Sequence, residues 1–270
     1  MKLSEIYQIA DKLAPKALSD EYCARYGAYD NSGRIVDTGK DVTGIVFSLD
    51  LSFAAIDKAK EAGANLIITH HPAIYGKIGE ISVSETEPLG KKLVACIENG
   101  ISVISMHLNL DAAEGGIDES LMDGILCSAG AGTRSNATIA VMHPLSQGGY
   151  GRVYDVPEQS LFSLAENMKR EFHAERIAVY GEDKKIKRVA SFCGAGVDEE
   201  AIAFAVANGA NVLVSSDFKH HHITFAKETG LSVVALTHYA SENYGFEKYG
   251  KKISRSVSIP CVFVTENDLL

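Results

Sequence analysis

Short aliphatic runs alternate along the chain with stretches in which apolar residues recur every three or four positions. Leu3, Ile6, Ile9, Ala10 and Leu13 follow helical spacing and Pro15 closes the pattern, which predicts a helix over 3–15. Residues 27–40 include Gly27-Ala28-Tyr29-Asp30-Asn31-Ser32-Gly33, and turn chemistry alone accounts for every residue there, so a loop is expected. Val42 to Leu49 reads as a strand that stops at Asp50. Ser52 is placed to cap a helix that turns Ala55, Ile56, Ala59 and Ala62 inward, with Gly63 closing it. A strand over 65–69, a helix from about Leu89 to Glu98 and a strand over 102–106 follow. Strand, helix, strand, helix, strand implies right-handed crossovers and a mostly parallel sheet.

A turn at Gly115-Gly116 leads into a helix through Leu121 and Leu126. Residues 128–137 are small and polar, and mark a linker between a first lobe, 1–128, and a second, 129–270, whose C-terminal segment is free to pack back on the first. Beyond the linker the pattern predicts a strand near 138–142, a helix over 161–172, and strands over 176–180 and 186–192 joined by the polar turn 181–184. Gly148-Gly149-Tyr150-Gly151-Arg152 matches neither a dinucleotide fingerprint nor a P-loop, and reads as a turn with close backbone packing.

The second half echoes the first. Ala55-Ile56, Ala59 and Gly63-Ala64-Asn65 match Ala201-Ile202, Ala205 and Gly209-Ala210-Asn211 at one constant offset. Each copy enters an aliphatic strand, Leu66-Ile67-Ile68-Thr69 or Val212-Leu213-Val214-Ser215. Gly100-Ile101-Ser102-Val103-Ile104 before His107 parallels Gly230-Leu231-Ser232-Val233-Val234 before His238. The expectation is an α/β protein of two similar lobes, each a mostly parallel or mixed sheet flanked by helices.

Ligands of open α/β sheets gather at the carboxyl ends of strands. Those ends carry His70, His71, His107, Asp111, Asp217, His221, His238 and Glu242. Two adjacent imidazoles cannot fill one face of a strand, but where a strand ends the chain can turn both into one cleft, and Pro72 supports such an ending. His238 and Glu242 stand four apart and share a face if that segment is helical. His70, His71, Asp111, His238 and Glu242 offer three imidazoles and two carboxylates. That is too many for a closed tetrahedral zinc site, and suits two divalent ions with open positions, or one with loose ligands. Two ions would leave a charge of +2 beyond the carboxylates, favouring a bridging hydroxide and an anionic substrate. His107 is a candidate to orient a ligand, and Asp217 with His221 a candidate proton-transfer pair.

Composition narrows the classes. A net charge of −9 argues against broad nucleic-acid binding. Five cysteines, an odd number without a C-x-x-C pair, fit a reducing cytoplasm better than a disulfide framework. No stretch reaches the ~20 apolar residues of a membrane span, and the N-terminus lacks a signal-peptide core. Cys193 beside Gly194-Ala195-Gly196 reads as a buried strand thiol.

These motifs, in this order, resemble the GTP cyclohydrolase I type 2 homologs, the Nif-three-like proteins. The resemblance runs through Tyr29-Asp30-Asn31-x-Gly33, Thr69-His70-His71-Pro72, His107-x-Asn109-x-Asp111, Gly149-x-Gly151-Arg152, Gly194-Ala195-Gly196, Asp217-x-Lys219-x-His221 and His238-Tyr239-Ala240-x-Glu242. It implies the Nif-three-like fold, a homohexameric ring, and two divalent ions per chain held by His70, His71, Asp111, His238 and Glu242. Zinc, iron, manganese, cobalt and nickel all suit such donors. The expected function is metal-dependent hydrolysis of a small phosphorylated or nucleotide-like substrate by metal-bound hydroxide. The alternative is a non-enzymatic role in metal handling or as a regulatory interaction partner.

Overall fold

The computed structural model describes residues 1–131 and 138–265. Residues 132–137, most of the linker candidate, lie outside the described residues. The elements in order are α1 (Leu3–Leu13), α2 (Lys16–Tyr26), β1 (Gly33–Val36), β2 (Ile45–Ser48), α3 (Phe53–Glu61), β3 (Leu66–Thr69), α4 (Pro88–Glu98), β4 (Ser102–Ser105), α5 (Leu108–Ala112), α6 (Ile117–Ser128), β5 (Thr138–Pro144), β6 (Gly149–Ser160), α7 (Leu161–Glu171), β7 (Ile177–Tyr180), β8 (Lys185–Ser191), α8 (Glu199–Ala207), β9 (Val212–Ser215), α9 (His220–Glu228), β10 (Ser232–Leu236), α10 (His238–Ser254) and β11 (Cys261–Phe263). Two compact units form: Met1–Ala113 with the segment from Phe246, and Glu114–Gly245. No helix of the described residues is long and apolar enough to cross a membrane.

The first unit holds a five-stranded sheet in the order β1-β4-β3-β2-β11. β2, β3 and β4 run parallel and are buried along their whole length, as strands covered on both faces must be. β11 adds in parallel beside β2, pairing Cys261 with Ile45, while β1 closes the other edge antiparallel to β4. Ile56 and Ala59 of α3, Leu93 and Cys96 of α4, and Val46, Ile67 and Val103 of the strands share one core. Ser52 caps α3 by accepting from Ala55 N at 3.1 Å, and Gly63 reverses the chain at φ 63° before β3.

The second unit holds a six-stranded sheet, β5-β6-β8-β9-β10-β7. β8, β9 and β10 run parallel; β5, β6 and β7 pair antiparallel. Val153, Ala190, Phe192, Leu213 and Val233 pack there with Ala201, Ile202 and Ala205 of α8.

The sequence echo is a repeated topology. Taken from its antiparallel edge, each sheet reads alike: β1-β4-β3-β2 in one, β7-β10-β9-β8 in the other. Leu66 faces Ser102 in the first register, and their counterparts Val212 and Ser232 face each other in the second.

Three details differ from the pattern-based expectation. The helix α2 has no apolar stripe and buries only Leu18 and Ser19. β1 forms within the segment expected to be a loop. β7 and β8 adjoin in sequence but do not pair, because β9 and β10 lie between them. The glycine-rich segment at 148–152 opens the strand β6, and its packing is close. A Cβ on Gly151, at φ 73°, would lie 2.4 Å from the Phe192 ring.

Candidate metal centre

In the first unit, both imidazoles after β3 are aimed by one backbone acceptor. His70 N and His71 N donate to Leu49 O at 3.2 and 2.9 Å, which curls the chain at the strand end. Thr69 Oγ1 donates to His71 O at 2.7 Å and holds the curl. The rings end 5.0 Å apart between centroids. His70 is fully buried, with Phe246 beside it. Its Nδ1 lies 2.8 Å from Met106 O. A carbonyl oxygen only accepts, so Nδ1 carries the hydrogen and Nε2 keeps its lone pair when the ring is neutral. That Nε2 faces Asp111 Oδ1 at 3.4 Å. His71 Nδ1 donates to Asp50 Oδ1 at 3.0 Å, which directs the same tautomer.

Asp111 lies on α5, where its own N donates to His107 O at 2.8 Å, and its side chain is buried. His107 sits between β4 and α5. Its N donates to Ser32 Oγ and its Nδ1 to Asp30 Oδ1, at 2.9 and 2.8 Å. Asp30 also accepts from Ser19 Oγ and Ser32 Oγ at 2.6 and 2.5 Å. Burial opposes ionisation of Asp30, but the hydrogen bond and charge of His107, with the two hydroxyls, win and hold its carboxyl well below the usual range. Burial likewise pushes the His107 imidazole down, and the bond to Asp30 with the charges of Asp111 and Asp30 turns the balance upward.

In the second unit, α10 starts at His238, and Thr237 Oγ1 caps it by accepting from Ala240 N at 3.1 Å. The helix puts His238 and Glu242 on one face, with His238 Nε2 3.0 Å from Glu242 Oε2. Asp217, which follows β9 in a left-handed conformation at φ 49°, accepts from His238 Nδ1 at 2.5 Å. Glu242 is buried, and a Cβ at position 194 would fall 2.2 Å from its Oε1, so Gly194 makes the space for this carboxylate. Ser215 Oγ and Ser216 Oγ donate to Gly194 O at 3.0 and 2.7 Å and fix that loop. Cys193 is buried; its C=O accepts from Tyr150 OH at 2.6 Å. His221 is not among the partners of Asp217. It lies against His222 and Glu199.

The two groups share one design. His70, His71 and His238 each spend Nδ1 on an acceptor and turn Nε2 the other way, the outer hydrogen bonding typical of histidine ligands. In the pairs His70–Asp111 and His238–Glu242, a ring nitrogen faces a carboxylate oxygen. Two lone pairs repel at 3.0–3.4 Å until a proton or a metal ion enters between them. The imidazole and carboxylate donors present therefore fit divalent transition ions.

Asp50, Asp30 and the Met106 carbonyl, which orient His71, His107 and His70, are distant in sequence from the histidines they hold; the strand-end position of Asp50 and the motif around Asp30 gave a signal, but not which ring each would hold. Arg152 is also structural: buried, it donates through Nη1 to Asp118 and to Gly149 O and through Nη2 to Glu119 Oε1, the last two at 3.0 and 3.1 Å.

A family model described as Duf34/NIF3 (NGG1p interacting factor 3) matches residues 1–268. A "GTP cyclohydrolase 1 type 2 homolog" of Clostridium perfringens is 28% identical over 272 residues, covering 99% of this chain and 97% of that protein. One of Methanocaldococcus jannaschii is 29% identical, covering 97% and 98%. The solved structure of "Reduced HcgD from Methanocaldococcus jannaschii" superposes with a TM-score of 0.80 at 26% identity, covering 98% of each chain.

Proposed function

The chain belongs to the Duf34/NIF3 family, and on that premise we propose that it is a metal-dependent hydrolase in which His70, His71, Asp111, His238 and Glu242 together hold two divalent ions. Zinc, iron, manganese, cobalt and nickel are the candidate metals. The observation that carries this reading is the Nδ1 contact of each histidine, to Met106 O, Asp50 and Asp217, which places the lone pair of a neutral ring on Nε2.

Such a pair of ions, when bound, lowers the pKa of coordinated water and draws in an anionic substrate. The residues of the chain do the rest. Asp50 and the Met106 carbonyl hold His71 and His70 in the ligating orientation. Asp217 acts through His238, as a positioning residue. Asp111 and Glu242, both buried, supply the negative charge that stabilises the cations. The substrate class is a small phosphorylated or nucleotide-like molecule, in keeping with the names of the relatives. A homohexameric ring in the cytoplasm completes the proposal.

Elemental analysis of protein made without added metal, followed by assay against a panel of nucleotides and phosphoesters, tests it. The expected result is about two ions per chain and turnover of one substrate class, both lost in His71→Ala. Full metal loading without turnover on any substrate overturns the hydrolase and leaves a metal-handling protein. Folded protein that takes up no metal overturns both.

A further inference from the structure

Away from the five residues above, the second unit gathers another set of metal-binding side chains. Glu199 opens α8, and His221 and His222 lie in the first turn of α9. One donor atom from each lies within 4.8 Å of the others. Glu199 Oε1 is 3.4 Å from His222 Nε2 and 3.8 Å from His221 Nε2, and the two rings meet edge-on at 4.3 Å. Donors bound to one tetrahedral ion at 2.0–2.1 Å stand about 3.3 Å apart. The observed spacing is therefore close to that of an ion's shell.

A second observation points the same way. The His222 side chain is only 2% exposed, and its Nδ1 makes no hydrogen bond. Its Nε2 is aimed at Glu199. A cation between His222 Nε2 and Glu199 Oε1 would replace that single long contact to an exposed carboxylate with a shared ligand bond, while Nδ1, which faces the other way, gains nothing from it. Charge also favours a cation. The N-termini of α8 and α9 oppose it with about half a positive charge each, whereas Asp198, Glu199 and Glu200 bring three negative charges to the start of α8.

We propose that Glu199, His221 and His222 form a separate divalent transition-metal site, with two imidazoles, one carboxylate and a position open to solvent. Glu199 and His221 are 66% and 65% exposed, so the ion exchanges freely with solution. Because His222 Nδ1 lacks the outer hydrogen bond that tightens most histidine ligands, the site is weaker by about 10- to 100-fold than a fully supported one. Zinc, nickel, cobalt and copper match this donor set; magnesium and calcium do not.

Zinc titration of the metal-free full chain by calorimetry, with cobalt absorption as a second reporter, tests the site. The comparison is between His71→Ala protein and the same protein also carrying Glu199→Gln and His221→Ala. Both added changes are at exposed positions and leave the buried His222 in place. The expected result is one zinc fewer per chain when both changes are added, with an intermediate affinity for Glu199→Gln alone. Equal stoichiometry and affinity with and without the added changes overturn the proposal, whatever the outcome at the five-residue centre.

Discussion

Asp118→Asn tests the reading of the Arg152 network most directly. Asp118 and the Arg152 guanidinium are 0% and 3% exposed, so their attraction is little screened by water. Asp118 also accepts from Gly151 N at 3.1 Å and Cys193 N at 3.4 Å, so one carboxylate secures the starts of two segments. Removing one partner of a buried pair costs ~3–5 kcal/mol. The lower end applies here. Glu119 still faces Arg152 Nη2 at 3.1 Å, and the charge balance shifts from one cation against two anions to one against one. An asparagine also keeps one oxygen for the backbone donors. We expect a loss of about 3 kcal/mol. In urea, with a slope of ~1–3 kcal/mol per molar, that moves the midpoint down by about 1–3 M. The assay is equilibrium unfolding followed by circular dichroism on metal-free protein. Arg152→Met leaves the buried Asp118 and the partly buried Glu119 without their shared cation and should cost more, and the double variant should cost less than the sum of the two. An Asp118→Asn loss below about 1 kcal/mol, or full additivity in the double variant, would refute the account.

Other consequences can be checked more briefly. Gly194→Ala drives a methyl group against Glu242 Oε1 from a backbone position at φ 58°, so metal content should fall while far-UV dichroism stays unchanged; retained metal would show that Glu242 is not a ligand. Asp30→Asn removes the shared acceptor of His107, Ser19 and Ser32, and its effect on metal-free protein should depend on pH. The depressed Asp30 carboxyl stabilises the fold above its unfolded value of about 4, and that share is lost as pH falls through the lower folded value. The raised His107 contributes fully below about 6.5 and loses its share as pH rises through the higher folded value. The gap between wild type and Asp30→Asn in thermal melts should therefore be widest between about pH 4 and 6.5; a gap independent of pH would rule this out.

The parts of the fold visible in the sequence are those whose burial follows a period. The wholly buried strands β2, β3, β4 and β9 are apolar apart from a serine or threonine at their ends, and the helix α3 announces itself by a capping serine, an inward stripe and a closing glycine. The helix α2 buries too little to leave a stripe, and the short edge strand β1 hides among turn-forming residues. The separation of β7 from β8 is a matter of pairing partners, which local pattern does not encode. At the candidate centre, the imidazoles stand out because a strand ends on two of them. Their supports do not. Asp30 and Arg152 stand in motifs of the family resemblance, but by local pattern each reads as a turn residue, and what each one holds, His107 and Asp118, shows only in the fold.

The acceptor for His70 is the main chain at position 106, not a side chain. No exchange of the residue at 106 deletes that oxygen, so the orientation of this ring is insulated from point mutation in a way that the rings leaning on Asp50 and Asp217 are not. Drift among relatives should accordingly be freer at 106 than at 50 or 217. An engineer wishing to loosen His70 would have to displace the strand itself.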